Sequence, residues 1–199
     1  MNLLQLDKKG VLSAVFLGIG LFYFGGLNAF LMVLVFFVSG NIVTGIGYKT
    51  KKKLKIVEYS RTWKNVVSNG FFPLVFCALG YEKAFVYSVA AITADKFASE
   101  LGVLFGAPIS LEKFERVVEG TSGAVSTAGT IFSIVGAFLI AFFANLIGYR
   151  VDLLFTTLAG TLGCFADSFA GIFEEKGIGT KETSNMICAL IGGLFGFVK

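Results

Sequence analysis

Histidine is absent from this chain of 199 residues, which also contains only two prolines and one tryptophan. Without histidine the protein has no Ser-His-Asp triad and no imidazole ligand for a metal ion. Charged residues are scarce at 15% of the chain, whereas 55% of the residues are hydrophobic and the mean hydropathy is +0.80. This composition excludes an ordinary soluble domain and indicates a protein of the lipid bilayer.

The three cysteines, Cys77, Cys164 and Cys188, fall inside apolar stretches, and no two of them form a CxxC pair. Because histidine is also missing, this spacing does not describe a zinc site. We interpret the cysteines as small packing residues without a disulfide or metal-binding role.

Several windows approach or exceed the roughly 18 to 20 apolar residues that a helix needs to cross about 30 Å of hydrocarbon. No alternating strand pattern accompanies them, so we expect helices as the spanning elements and an all-α fold class. The sequence predicts a polytopic membrane protein of about seven transmembrane helices in one domain, residues 1–199. The predicted spans are 11–25, 28–48, 66–80, 84–104, 122–147, 153–173 and 184–198.

The distribution of positive charge predicts the orientation, because lysine and arginine favour cytoplasmic loops. If the amino terminus is cytoplasmic, thirteen of the 17 basic residues lie in inner segments, namely 1–10, 49–65, 105–121 and 174–183. The sequence therefore predicts a cytoplasmic amino terminus. We interpret the cluster from Lys51 to Lys55 as an orientation signal that contacts anionic lipid headgroups. Arg61 and Lys64 lie against the next span and are candidates for chemistry.

A weak internal repeat links residues 80–99 and 148–171. Both stretches run from a Gly-Tyr pair through an apolar span to Ala-Asp-x-Phe-Ala, which contains Asp95 in the first copy and Asp167 in the second. The predicted topology carries both copies across the membrane in the same direction, so both aspartates are expected near the cytoplasmic face. A duplication and chance are both compatible with so short a likeness.

The acidic residues near the ends of two spans predict a cation site. An ionisable residue in a transmembrane segment costs about 2.5 to 3.5 kcal/mol at mid-membrane, so it usually faces a partner or a polar cavity. Asp95 and Ser99 share a helix face, whereas Glu100 lies about 140° from Asp95 and joins the same site only if the helix ends there. Asp167 and Ser168 add a second acidic point. Carboxylates that converge from separate helices suit Mg²⁺, which prefers oxygen ligands.

Other polar residues fall at the same predicted membrane face. The segment Gly120–Gly123 predicts a bend whose N–H groups could bind an anion at a helix amino terminus. An ordinary N-cap at Thr121 or Ser122 is the alternative. Asn185 places a polar amide at the inner end of the seventh span.

A polar stripe is predicted where the third span begins, because Arg61, Asn65 and Asn69 recur at every fourth position.

A structural role is the open alternative for the acidic site. In that case Asp95 pairs with Lys96 or Arg61 and holds helices together.

Four ordered stretches between Arg61 and Asn185 resemble the polar signatures of the integral membrane family that contains the plant phytyl-phosphate kinase and the animal transmembrane protein 19. They are RTWKNVVSNG, ADKFASELG followed by Pro108, EGTSGAVSTAG and GTLGCFADSFAG. The run DKFASELGVLFG followed by EGTSG is also similar, more loosely, to dolichol and phytol kinases, which use CTP. This chain departs from the family in carrying Lys96 where relatives have threonine, and in keeping only Asn185 of a later asparagine-rich motif.

The resemblance implies a membrane-embedded kinase that uses Mg²⁺ to transfer a phosphoryl group from CTP or ATP to an isoprenyl monophosphate. Because phosphoryl transfer depends mainly on positioning and charge neutralisation, we expect catalytic and metal-binding roles for Asp95, Glu100 and Asp167. We expect phosphate or nucleotide binding by Arg61, Lys64, Asn65, Asn69, Lys96, Ser99, Gly120, Thr121, Ser122, Gly123, Ser168 and Asn185.

A prenyl-alcohol kinase and a transporter of cations or lipid phosphates are the alternatives to this activity. The outer half of every predicted span is nearly without ionisable residues, which disfavours transport. We expect a site that faces the cytoplasm from the cell membrane and no nucleic-acid partner, and we leave a homo-oligomer open.

Overall fold

The computed structural model describes residues 6–54, 56 and 62–198. Within this range the chain forms seven α-helices, a two-stranded β-sheet and a short 3-10 helix at Phe195–Phe197. The elements are α1 (Lys8–Gly45), α2 (Tyr48–Lys53), α3 (Trp63–Ala78), α4 (Glu82–Gly102), β1 (Ile109–Ser110), β2 (Ala124–Val125), α5 (Thr127–Leu146), α6 (Leu153–Glu175) and α7 (Lys181–Leu194). The predicted helical class is confirmed, while the small sheet was not expected.

The first helix folds back on itself at Gly26, whose φ of 66° and ψ of −162° are not helical. Glycine suits this position because side chains disfavour positive φ. The ring of Phe30 lies 3.2 Å from the place that a Cβ on Gly18 would occupy, whereas an unbroken helix would separate these residues by about 18 Å. The interruption falls between the first two predicted spans.

Three of the described helices, α1, α5 and α6, are long and apolar enough to cross a membrane. The 16 residues of α3 and the 14 of α7 extend over only about 24 and 21 Å. Large apolar side chains remain exposed on α1 and α5, among them Phe16, Tyr23 and Phe138, as expected of a lipid-facing surface. The predicted number of seven spans stays a prediction.

The centre of the bundle is α4, which packs against α3, α5, α6 and α7. Every residue from Ala84 to Ala94 is buried. Close packing depends on Gly163 of α6, where a Cβ would lie 2.5 Å from the Cβ of Ala91 and 2.9 Å from the carbonyl oxygen of Cys188. Because protein rather than lipid surrounds α4, this helix can carry charged residues near its end.

Four helix ends meet at one end of the bundle, which we call the site end. They are the carboxyl ends of α4 and α6 and the amino ends of α5 and α7. Gly102 on α4 lies against α5, since a Cβ there would come within 2.8 Å of the Cα of Gly129. The segment 103–126 covers this end, and within it β1 and β2 pair antiparallel.

The start of α5 corrects one prediction. Residues 124–125 belong to β2, and the helix begins at Thr127 rather than near residue 122. Ser126 is its N-cap, because the Ser126 hydroxyl oxygen accepts a hydrogen bond from the Gly129 N–H at 2.9 Å. The predicted N-cap at Thr121 or Ser122 is therefore wrong.

The two copies of the weak repeat have similar backbones at their starts. Gly80 and Gly148 both have positive φ, at 74° and 102°. α4 follows the first and α6 follows the second, and both helices run toward the site end.

Cys77, Cys164 and Cys188 are all buried, and none forms a disulfide.

Candidate functional site

A cavity of about 1120 Å³ joins a polar group of side chains at the site end to an apolar wall along α1. The polar lining includes Asn65, Asn69, Asp95, Lys96, Ser99, Asp167, Ser168, Glu174, Lys181 and Asn185. The apolar wall includes Val11, Val15, Phe22, Leu27, Phe30, Leu34 and Phe37. A molecule with a charged head and a hydrocarbon tail would match both parts.

Asp95 on α4 and Asp167 on α6 are neighbours in this cavity. Their carboxyl groups are close enough to share a hydrogen bond, and both lie within electrostatic range of the Lys181 ammonium group. Lys181 Nζ donates a hydrogen bond to Asp167 Oδ2 at 2.7 Å. The structure thus brings together the two carboxylates that the sequence placed at one membrane face.

Two buried acceptor oxygens at this site have no hydrogen-bond donor in the described part of the chain: Asp167 Oδ1 and Asn185 Oδ1. Asp167 is 5% exposed and Asn185 is 7% exposed. A buried acceptor without a partner costs about 1–3 kcal/mol. Both oxygens are therefore suited to a ligand that supplies positive charge or a donor.

Glu100 does not join the acidic pair. α4 remains helical to Gly102, so Glu100 points about 140° away from Asp95. Among the described residues, no group of three or more acidic, histidine or cysteine side chains is placed to hold a metal ion. The three-carboxylate arrangement expected from the sequence is reduced to Asp95 and Asp167.

Glu100 instead forms a partly buried ion pair with Lys51, whose Nζ donates to Glu100 Oε2 at 2.7 Å. Thr44 Oγ1 donates to the other carboxylate oxygen at 2.9 Å, and Lys96 forms a second ion pair with Glu100. Lys51 is 3% exposed, so its interpretation as a contact to lipid headgroups is wrong. Its neighbours Lys52 and Lys53 are exposed.

Lys96 lines the cavity and acts electrostatically on Asp95 as well as pairing with Glu100. It therefore connects the acidic pair to the Lys51–Glu100 ion pair. Ser99 also lines the cavity, and its hydroxyl donates to the Lys96 carbonyl oxygen at 3.2 Å. Phosphate contacts by these residues stay predictions.

The predicted bend at Gly120–Gly123 is present, since Gly120 and Gly123 have φ of 87° and 70°. It lies before β2 rather than at a helix amino terminus. The Ser122 N–H donates to Glu175 Oε1 at 3.0 Å, and the Ser122 hydroxyl donates to Glu174 Oε1 at 3.2 Å. Carboxylates of this chain thus contact the bend that was expected to bind an anion.

The polar stripe of α3 reaches the cavity only in part. Asn65 and Asn69 line it, although the Asn65 side chain also accepts a hydrogen bond from the Thr62 N–H at 2.9 Å. Lys64 lines a separate surface recess, so the structure does not bring this predicted phosphate ligand to the site. Arg61 lies outside the described residues.

Sequence reasoning missed Lys181 and Glu174. Both line the cavity, and Glu174 Oε2 accepts a hydrogen bond from the hydroxyl of Ser184 at 3.3 Å. A usable signal was the spacing of Lys181 and Asn185, which are one helical turn apart. The predicted last span begins at residue 184 and excludes Lys181, whereas α7 begins at Lys181.

Comparison with known proteins identifies the family. Residues 2–191 match the model of a family described as "Integral membrane protein DUF92". The chain belongs to this family. An uncharacterized membrane protein of Methanocaldococcus jannaschii is 38% identical over 200 residues, which cover 96% of this chain and 84% of that protein. One of Synechocystis sp. is 29% identical over 170 residues, which cover 73% of this chain and 63% of that protein. No solved structure matches.

Family membership confirms the predicted membrane class, and the three long apolar helices agree with it.

Proposed function

We propose that the protein is a membrane-embedded kinase that transfers a phosphoryl group from a nucleotide triphosphate, with CTP as the favoured donor, to an isoprenyl monophosphate. The observation that carries this proposal is the Asp95–Asp167 pair in a cavity that continues along an apolar wall. A prenyl phosphate has one charged end and one hydrocarbon end. The two parts of the cavity suit these two ends.

The acidic pair fits a divalent cation, because both side chains offer hard oxygen donors and Asp167 Oδ1 has no donor among the described residues. Mg²⁺, when bound, would neutralise charge on the nucleotide phosphates. Lys181 and the amides of Asn65 and Asn69 supply further donors at the same end of the cavity. Phosphoryl transfer depends mainly on positioning and charge neutralisation, so the lack of histidine is no obstacle.

The transfer step balances without a general base from the protein. An anionic oxygen of the prenyl monophosphate forms a bond to the γ-phosphorus of the nucleotide. The bond between that phosphorus and the bridging oxygen breaks, and the nucleoside diphosphate leaves. No proton has to be removed from the acceptor, in contrast to transfer to a prenyl alcohol.

The apolar wall gives the acceptor a route from the bilayer. It is formed by α1, many of whose side chains are exposed on the lipid-facing surface. A prenyl chain that lies along α1 would keep its hydrocarbon in an apolar environment while its phosphate meets the polar group. We further propose that the site end faces the cytoplasm, where nucleotide triphosphates are available.

A transfer assay with purified protein tests this function. The protein in detergent is incubated with Mg²⁺, labelled CTP or ATP, and a panel of prenols and prenyl monophosphates. We expect labelled prenyl diphosphate, and loss of at least about 100-fold in rate for Asp95→Asn and Asp167→Asn. Glu112→Gln is the matched control. Glu112 is an exposed acidic residue that pairs with Lys176 and does not line the cavity.

Three results would contradict the proposal in different ways. Transfer to prenols alone would make the protein a prenyl-alcohol kinase. Full activity of Asp95→Asn would remove the acidic pair from the reaction. No transfer with any donor and acceptor would leave the transporter alternative, which flux measurements in proteoliposomes then address.

A further inference from the structure

Asn185 belongs to the same face of α7 as two residues that lie beside the acidic pair. Lys181, Asn185 and Cys188 follow one another at spacings of four and three residues, which align them along one stripe. Lys181 bonds to Asp167, and the Cys188 sulfur lies within electrostatic range of both Asp95 and Asp167. Asn185 lies between them on this stripe and lines the same cavity as the pair.

Three side-chain groups from three helices thus present oxygen atoms to one region. They are the carboxylates of Asp95 on α4 and Asp167 on α6, and the amide oxygen of Asn185 on α7. Asp167 Oδ1 and Asn185 Oδ1 are both buried without a donor in the described part of the chain. A hydrogen-bond donor of the protein would satisfy one such atom, whereas a cation with several oxygen ligands satisfies them together.

We propose that Asp95, Asp167 and Asn185 each donate an oxygen ligand to one divalent cation, and that Lys181 is the internal counter-ion which this cation displaces. The inference rests on the proposed function, because it assigns the ligands and the counter-ion of the same site. It adds the amide ligand and the competition between ammonium and metal.

Lys181 has the position and reach for this role. Its Nζ lies 2.7 Å from Asp167 Oδ2 and within electrostatic range of Asp95, so its positive charge acts on both acidic side chains. The residue begins α7 and its side chain is 40% exposed, so it can change rotamer without disturbing the packed core. Glu174 is also within electrostatic range of Lys181 and offers the displaced ammonium another carboxylate.

The change in metal affinity has opposite directions for two roles of Lys181. A positive charge beside Asp167 opposes cation binding, so removing a competing ammonium makes metal binding tighter. If the Lys181–Asp167 bond is instead needed to hold α6 and α7 in the arrangement that binds the cation, removing it makes metal binding weaker or leaves it unchanged. Metal affinity therefore separates a competing lysine from one that the site needs for its shape.

Binding of Mn²⁺ to the purified protein in detergent, without nucleotide or lipid, tests the proposal. The electron paramagnetic resonance signal of unbound Mn²⁺ gives the dissociation constant. We expect one site in the natural protein, roughly 10-fold tighter binding for Lys181→Met, and unchanged binding for the control Lys176→Met. Asn185→Leu should weaken binding by about 10-fold or more, whereas Asn185→Asp should keep or tighten it because an oxygen ligand remains.

Each possible outcome bears on the proposal. Absence of a Mn²⁺ site in the natural protein overturns it. Weaker or unchanged binding by Lys181→Met overturns the counter-ion, and equal binding by Asn185→Leu and the natural protein overturns the amide ligand. If gel filtration and thermal unfolding show that Asn185→Leu does not fold, Asn185→Asp and Lys181→Met decide. Weaker binding by Asn185→Asp, or weaker or unchanged binding by Lys181→Met, then contradicts the proposal.

The binding test also separates this inference from the proposed function. Mn²⁺ binding with the expected variant effects, but without phosphoryl transfer, would refute the kinase and keep the cation site. Phosphoryl transfer together with Mn²⁺ binding that none of the variants alters would keep the kinase and refute the proposed ligands and counter-ion.

Discussion

Replacing Lys51 by methionine tests the buried ion pair that connects α2 to the end of α4. The Lys51 ammonium donates hydrogen bonds to Glu100 Oε2 at 2.7 Å and to the carbonyl oxygens of Val43 and Thr44, both at 3.1 Å. Methionine keeps an apolar stem of similar length but removes the charge and all three bonds. The Glu100 carboxylate stays in its partly buried position.

The magnitude follows from this geometry. Removing one partner of a buried ion pair costs about 3–5 kcal/mol, because the other charge is left without compensation. Lys96 and Thr44 still contact Glu100, whose side chain is 16% exposed, so we expect the lower end of that range, about 3 kcal/mol. For a chain of this size 1 kcal/mol changes Tm by about 2–4 °C, which gives a decrease of about 6–12 °C.

The assay is thermal unfolding of the purified protein in detergent, followed by circular dichroism. Lys52→Met is the matched control, because Lys52 is the next residue of α2 and is exposed. We expect the control to change stability by less than about 0.5 kcal/mol. Equal Tm values for the two variants would refute the reasoning and would return Lys51 to the lipid headgroup interpretation.

Three further predictions concern packing, capping and pH. Gly163→Ala should destabilise the protein by about 1–3 kcal/mol in the same unfolding assay, since its Cβ would lie 2.5 Å from that of Ala91; a stable variant would contradict the close helix contact. Ser126→Ala should cost about 1 kcal/mol and Thr121→Ala less, because Ser126 caps α5; the opposite order would place the cap at Thr121. A hydrogen bond from Lys176 lowers the pKa of Glu112. The pair therefore stabilises the fold at pH values above the ordinary glutamate pKa, and this stabilisation is lost as the pH falls through the lowered pKa. The Glu112→Gln variant should lack this decrease in stability at acidic pH. A stability profile against pH identical to that of the natural protein would contradict a stabilising role of the pair.

The features that could be predicted from the sequence depend on neighbouring residues along the chain. Asp95 and Asp167 could be placed at one end of the bundle, because each ends a similar segment and both segments run in the same direction. The bend at Gly120–Gly123 was predictable from its glycines. The break in α1 was predictable because a glycine pair interrupts a long apolar run.

Partners on different helices could not be predicted in this way. Lys51 and Lys52 are both lysines of α2, and only the folded structure shows that the first is buried with bonds to α1 and α4 while the second is exposed. Glu100 faces away from Asp95 because α4 continues to Gly102, and the sequence left that end open. The predicted last span begins at residue 184 and leaves Lys181 in a loop, whereas α7 begins at Lys181.

The central claim is that carboxylates of α4 and α6 form one cation site at the polar end of a lipid-binding cavity. Its most direct test is an anomalous difference map from crystals of the protein grown with Mn²⁺. We expect one peak within about 2.0–2.6 Å of carboxylate oxygens of both Asp95 and Asp167. A peak elsewhere, or no peak with the two carboxylates turned apart, would contradict the account.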